Sequence, residues 1–267
     1  MTSTRSGLAV PDWPLSYEKL MPPMVGGVRF EHSHRMVASL VGLLTFILTF
    51  WIGFTEKRAW MRRLGILAFF MVVAQGILGG LTVLYLLPAP ISITHGCLAQ
   101  TFFAVTICLA YVSSTEWKKG FQFRKVDLSI LKKILCLTVT LIYLQLILGA
   151  TFRHTGNKLV LIPHIAGAFL VLMHTMMALM FTWRNTPGEN KFIYPAIFLA
   201  LVSLIQISLG MGSFIFSVML KDSLSGPSIS KVFFITAHQT LGALLLGAAV
   251  FFTLRIYRIE RFAKNVA

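Results

Sequence analysis

Six stretches of this chain contain no Asp, Glu, Lys or Arg: 36–55, 64–115, 134–152, 159–183, 192–220 and 232–254. A soluble domain carries roughly 25% charged residues, whereas this chain carries 12%, with 56% hydrophobic residues. Uncharged apolar runs of about 20 residues suit a lipid bilayer as solvent, and a helix satisfies its own backbone there. The 52-residue window 64–115 is too long for one helix, and Pro88 and Pro90 break it in two. Seven spans are therefore expected, near 35–55, 64–87, 91–113, 133–152, 161–183, 192–218 and 231–255.

The net charge of +15 is compatible with nucleic-acid binding until its distribution is considered. Lys57, Arg58, Arg62 and Arg63 share one connection, and Lys118, Lys119, Arg124, Lys125, Lys132 and Lys133 fill or flank another. Arg184 and Lys191 occupy a third, and Arg255, Arg258, Arg261 and Lys264 lie in the tail. These 16 cations fall on alternate connections and leave 8 for the other side. That asymmetry puts the N-terminus outside and the C-terminus inside, and it excludes a nucleic-acid partner. Cys97, Cys108 and Cys136 all lie within spans, where they read as small buried hydrophobes. No secretory or transit peptide is visible.

Gln-x-x-x-Gly occurs three times within spans, at Gln75/Gly79, Gln145/Gly149 and Gln206/Gly210. Small residues let helix backbones approach, and an amide can bond across the interface. The offsets suggest duplication: Gln75 to Gln206 is 131 residues, His34 to His164 is 130, and His95 to His238 is 143, with a longer loop around 219–230. The chain thus reads as an all-α membrane protein of two pseudo-repeated halves, 1–125 and 126–267. The span at 133–152 lacks a partner in the first half. A weak match between residues 1–7 and the stretch Thr151 to Gly156 places that partner upstream of Met1. The expectation is a four-plus-four helix arrangement whose first helix is absent from this chain; a genuine seven-span protein is the alternative.

Location sorts the seven histidines. His34, His95, His164 and His238 each lie near the outer end of a different span, in two repeat-related pairs. Ionisable residues in a membrane are costly and are candidates for function. Neutral imidazole is a common axial ligand of haem iron. The pattern suggests two bis-histidine sites, His34 with His95 and His164 with His238. Zinc fits less well, because thiolates and carboxylates are scarce at these ends. His32 lies two positions from His34 and so faces away from it, and His174 reads as a packed polar residue. Arg153 and His154, in an outer loop, could meet a haem propionate or simply be solvated. Glu31 shares a helical face with His34; it suits proton transfer or charge stabilisation, or else it serves the helix dipole. Arg35 is its potential partner.

The run from Thr4 to Pro14, containing Asp12-Trp13-Pro14, with Glu31-His-Ser-His-Arg35, His95-Gly96, Arg153-His-Thr-Gly156, His164 and His238, resembles the haem A synthase family over nearly the whole chain. The resemblance implies an eight-helix bundle that oxidises the C8 methyl of haem O to a formyl group, giving haem A for cytochrome oxidase. It implies a haem b cofactor on His164 and His238, substrate haem O at His34 and His95, and a catalytic Glu31. Arg35, Arg153 and His154 become candidate propionate contacts. A haem O synthase and an electron donor are the implied partners, and a bacterial inner membrane the implied location. Many bacterial relatives carry a cysteine pair in the first outer loop, where this chain has Val10 and Ser16. The outer segment 8–30, with Trp13 and Tyr17, would cover the substrate site.

The rival is a di-haem b-type electron-transfer protein. Such bundles stack haems on two histidines of one helix. The pair His164 and His174, ten residues apart, does not match that spacing.

Overall fold

The computed structural model describes residues 6–120, 126–220 and 228–266, with side chains up to residue 259. Thr4, Arg5, Arg124 and Lys125 lie outside the described residues, as do the side chains of Arg261 and Lys264. Among the described residues the protein is helical, with no strand beyond a single bridge between Ser16 and Lys19. The helices are α1 (Val28–Thr55), α2 (Ala59–Leu84), α3 (Ala89–Ser113), α4 (Thr115–Lys119), α5 (Ser129–Thr155), α6 (Lys158–Asn185), α7 (Asn190–Phe214) and α8 (Ile229–Val266). A π-helical turn, Ile215–Met219, continues α7. Seven of these helices are long and apolar enough to cross a membrane, matching the seven expected spans. The chain is an all-α membrane protein.

Every long helix but α3 begins before its charge-free stretch. α1 starts at Val28 rather than near 35, because nothing after Gly27 breaks a helix and Glu31 suits its positive end. That extension makes Glu31, His34 and Arg35 neighbours on one helix. The break expected at Pro88 is found: α2 ends at Leu84, and Leu86 and Leu87 take φ values of 60° and 61° before the proline. α5 stops at Gly156, whose φ of 65° is left-handed, and Asn157 then caps α6 by accepting from the Leu159 N–H at 3.0 Å. The Arg153-His-Thr-Gly156 stretch is thus the end of one span and the tight turn into the next.

The chain forms two compact units. One comprises Met1–Val105 with Ser213–Thr236, and the other comprises Thr106–Gly212 with Ala237–Ala267. In the first, α1 packs on α2, and Thr49 donates to the Gly65 carbonyl at 3.0 Å. In the second, α5 packs on α6. Its core includes Leu131, Leu135, Leu199, Phe252 and Ile256, all fully buried.

Candidate functional site

The four singled-out histidines occupy corresponding places. His34, His95 and His164 each lie six residues after the first residue of α1, α3 and α6, and His238 lies nine after the start of α8. At about 1.5 Å per residue, three of them lie about 9 Å along their own helix and the fourth about 13.5 Å along its own.

In the second unit two of them meet. The rings of His164 and His238 are 6.3 Å apart, centre to centre, with planes at 88°. A metal midway between two imidazoles, bound to each at about 2 Å, needs ring centres about 6 Å apart. The residues present therefore fit a bis-histidine iron site. The chemistry of the nitrogens agrees. His238 Nδ1 lies 3.1 Å from the carbonyl oxygen of Gln206. A carbonyl can only accept, so Nδ1 carries the proton and Nε2 keeps its lone pair for a metal. Glycine makes room for both rings. A Cβ at Gly149 would stand 3.0 Å from His164 Cε1, and one at Gly210 would stand 3.0 Å from His238 Cε1.

In the first unit, His95 is half-buried against Gly79, whose Cβ would lie 3.5 Å from its ring. Gln75 donates to the His95 carbonyl at 2.9 Å. His34 is exposed on α1, one turn from Glu31. The structure brings His164 and His238 into ring contact; it places His34 and His95 at matched positions on α1 and α3.

Glu31 is fully buried, and its role is wider than the sequence suggests. Its Oε2 accepts from the Val10 N–H at 3.1 Å, and its Oε1 accepts from Arg35 Nη2 at 2.9 Å. Arg35 donates further to the carbonyls of Asp12 at 2.7 Å, Val10 at 3.3 Å and Leu15. Next to Glu31, His32 Nδ1 pairs with Ser16 Oγ at 2.9 Å. Three polar residues of α1, Glu31, His32 and Arg35, thus strap the segment 10–16 onto the helix. Val10 and Ser16 are both fully buried in this clamp. Within the strap, Asp12 accepts from the N–H groups of Glu18 at 2.9 Å and Tyr17 at 2.8 Å, and these bonds, Glu18 foremost, hold its carboxyl below the ordinary aspartate range. Trp13 lies on Gly80, where a Cβ would meet the indole at 2.8 Å. Gly79 faces His95 and the adjacent Gly80 faces Trp13, so the strap meets α2 next to the glycine that faces His95.

Arg153 donates to Gln239 Oε1 at 3.0 Å, beside His238, and His154 is half-buried. His174 bonds the Leu170 carbonyl within its own helix at 2.8 Å, as a packed polar residue would. The three cysteines are unpaired thiols at half-buried positions. Sequence reasoning assigned Arg255 only to the positive tail; it is buried and pairs with Glu116 at 2.6 Å, which also accepts from Tyr111 at 3.0 Å. The isolated acid beside a basic loop was the available signal.

These features can be set beside known proteins. The family model described as Cytochrome oxidase assembly protein (COX15-CtaA) matches residues 28–169, more than half of the chain. The chain belongs to this family. Within the cytochrome oxidase assembly family, it is similar to proteins named Heme A synthase. The one from Shouchella clausii is 26% identical over 163 residues, covering 60% of this chain and 54% of the relative. Those from Lysinibacillus sphaericus and Exiguobacterium sibiricum are each 29% identical, over 60% and 58% of this chain and 53% of each relative. The chain spans about half the length of the curated relatives it matches. No solved structure matches it.

Proposed function

We propose that this chain is a haem A synthase, a membrane oxidoreductase that oxidises the C8 methyl of haem O to a formyl group. The observation that carries this reading is the His164–His238 pair, spaced for one iron in a chain of the cytochrome oxidase assembly family. His164 and His238 would hold haem b, which supplies one-electron redox chemistry when bound. His34 and His95 would hold the substrate haem O. The half 1–125 would thus serve the substrate and the half 126–267 the cofactor.

The chain's own residues supply position and electrostatics. His238 presents Nε2 because Gln206 holds its Nδ1 proton. Glu31 lies one turn from His34 on α1 and would act on a haem bound there. Each Glu31 oxygen already accepts one bond and has a further lone pair with which to take a proton or to stabilise positive charge developing at the methyl carbon. Arg35 fixes that carboxylate, and Trp13 extends the strap over α2 at Gly80, beside Gly79. Arg153, reaching the residue after His238, is the best-placed propionate contact; Arg35 is engaged in the strap. A haem O synthase would deliver the substrate, and an electron partner would complete the redox cycle. The cation asymmetry supports a bacterial inner-membrane orientation with the strap outside.

The test is haem extraction from membranes co-expressing this chain and a source of haem O. Haem A together with haem B is the expected result. Haem B alone overturns the synthase reading and leaves an electron-transfer cytochrome.

A further inference from the structure

We propose that the repeated Gln-x-x-x-Gly motif is a device that sets the axial histidine, with Gln206 and Gly210 acting as positioning residues for His238. The inference rests on His164 and His238 being haem ligands, and it goes beyond that reading by assigning residues that touch neither iron nor substrate.

Four contacts build the device around His238. Gln206 Nε2 donates to the His238 backbone carbonyl at 2.9 Å, and His238 Nδ1–H donates to the Gln206 backbone carbonyl at 3.1 Å. The two residues thus exchange bonds between α7 and α8, one fixing the backbone and the other the ring and its tautomer. One turn along α7, Gly210 forms the slot for the ring, with its Cβ position 3.0 Å from Cε1. On α8, Gly242 leaves room for the glutamine, whose Nε2 would be 3.1 Å from a Cβ there.

The same parts recur. Gln75 donates to the His95 carbonyl at 2.9 Å, and Gly79 faces that ring. In α5 and α6, Gly149 faces His164, and a Cβ at Gly167 would overlap Gln145 Nε2 at 1.8 Å, so a side chain at 167 is incompatible with that glutamine. Packing alone does not account for glutamine here. Oε1 of Gln75, Gln145 and Gln206 is in each case buried without a hydrogen-bond partner. Leucine would fill the same space without stranding an acceptor in an apolar core. What the amide adds, at Gln75 and Gln206, is the bond to the histidine backbone.

The consequence concerns the iron. A ligand histidine that donates its second ring N–H to a carbonyl is a stronger electron donor and is fixed in rotation. The Gln206 amide holds the His238 backbone, and through it the ring, against the Gln206 carbonyl, so losing the amide loosens the ring bond, makes the imidazole a poorer donor, favours ferrous iron and raises the midpoint potential.

The experiment uses the haem-loaded protein and two readouts, the midpoint potential of the b-type haem and its ferric low-spin EPR spectrum. Gln206→Leu is expected to retain haem, raise the potential and split or shift the EPR signal. Gly210→Ala presses on the ring from the other side and is expected to do the same. Gln100→Leu removes a buried amide elsewhere and leaves both readouts unchanged. A potential that stays or falls in either motif variant, or an equal rise in Gln100→Leu, overturns the proposal. Should Gln206→Leu not accumulate with haem, Gly210→Ala decides alone. The underlying assignment is judged separately. If His238→Ala keeps the parent signal, the ligand reading fails; if it loses that signal while Gln206→Leu does not change it, only this inference fails.

Discussion

The imidazoles of His164 and His238 lie 6.3 Å apart with their planes at 88°, although 74 residues separate them in the chain. Each occupies a slot that a glycine leaves open. Gly149→Val places branched carbon where His164 Cε1 now sits 3.0 Å from an ideal Cβ. Because helix backbones are stiff, the ring must move. The variant is expected to lose most of its bound b-type haem while its helical circular dichroism stays at the parent level. Haem occupancy equal to the parent would show that the slot does not control the ring.

Glu31 is the second test. Glu31→Gln keeps the shape and an oxygen for the Val10 N–H, but removes the charge opposite Arg35. The expected outcome is a folded protein that binds haem O and forms little or no haem A, measured by haem extraction and chromatography. Wild-type yields of haem A would confine Glu31 to the strap.

Arg35 tests the strap independently. Its guanidinium reaches Glu31 and three backbone carbonyls, a fan of donors that lysine cannot reproduce. Both Arg35→Ala and Arg35→Lys are expected to expose the segment 8–24 to protease at least tenfold faster than the parent. Equal cleavage rates in parent and Arg35→Lys would mean that charge alone suffices.

The strap also has a pH dependence with a defined sign. Asp12 is held below its ordinary value of 3.8 chiefly by the Glu18 N–H, so its contribution is fully present above that value and is lost as pH falls through the lowered one. Amide exchange at Tyr17 and Glu18 is expected to accelerate in strongly acidic solution relative to Asp12→Asn, and to be slower than in that variant at neutral pH. Identical exchange in parent and Asp12→Asn at neutral pH would remove Asp12 from the strap's support.

At the other end of the second unit, Glu116→Ala leaves Arg255 buried without its carboxylate. Stripping one partner from such a pair costs about 3 kcal/mol. A lower thermal midpoint in detergent is expected, with the haem spectrum unchanged. A midpoint within error of the parent would show that Arg255 finds another partner.

Much of this was legible in the sequence because lipid enforces a simple rule: spans are where charges are absent. The same rule made His34, His95, His164 and His238 conspicuous, and Pro88 and Pro90 marked the break that α2 and α3 show. The three glutamine–glycine pairs were visible as an interface pattern, but not their target. The carbonyl each glutamine reaches lies 20 or 32 residues away on another helix for Gln75 and Gln206. The strap was hidden for a related reason. Glu31 looked like an acid near a helix start, and its hold on Val10 depends on how an irregular segment folds back over 21 residues. No periodicity encodes such a return. His32, read as facing away from His34, does so in order to meet Ser16.

The account stands most directly on one iron shared by His164 and His238. The measurement is the low-spin EPR and reduced-minus-oxidised optical spectrum of the b-type haem in purified parent, His164→Ala and His238→Ala proteins. The parent is expected to show a bis-histidine signal, and each alanine variant to lose it, by failing to retain haem or by retaining it high-spin. An unchanged bis-histidine spectrum in either variant would contradict the account.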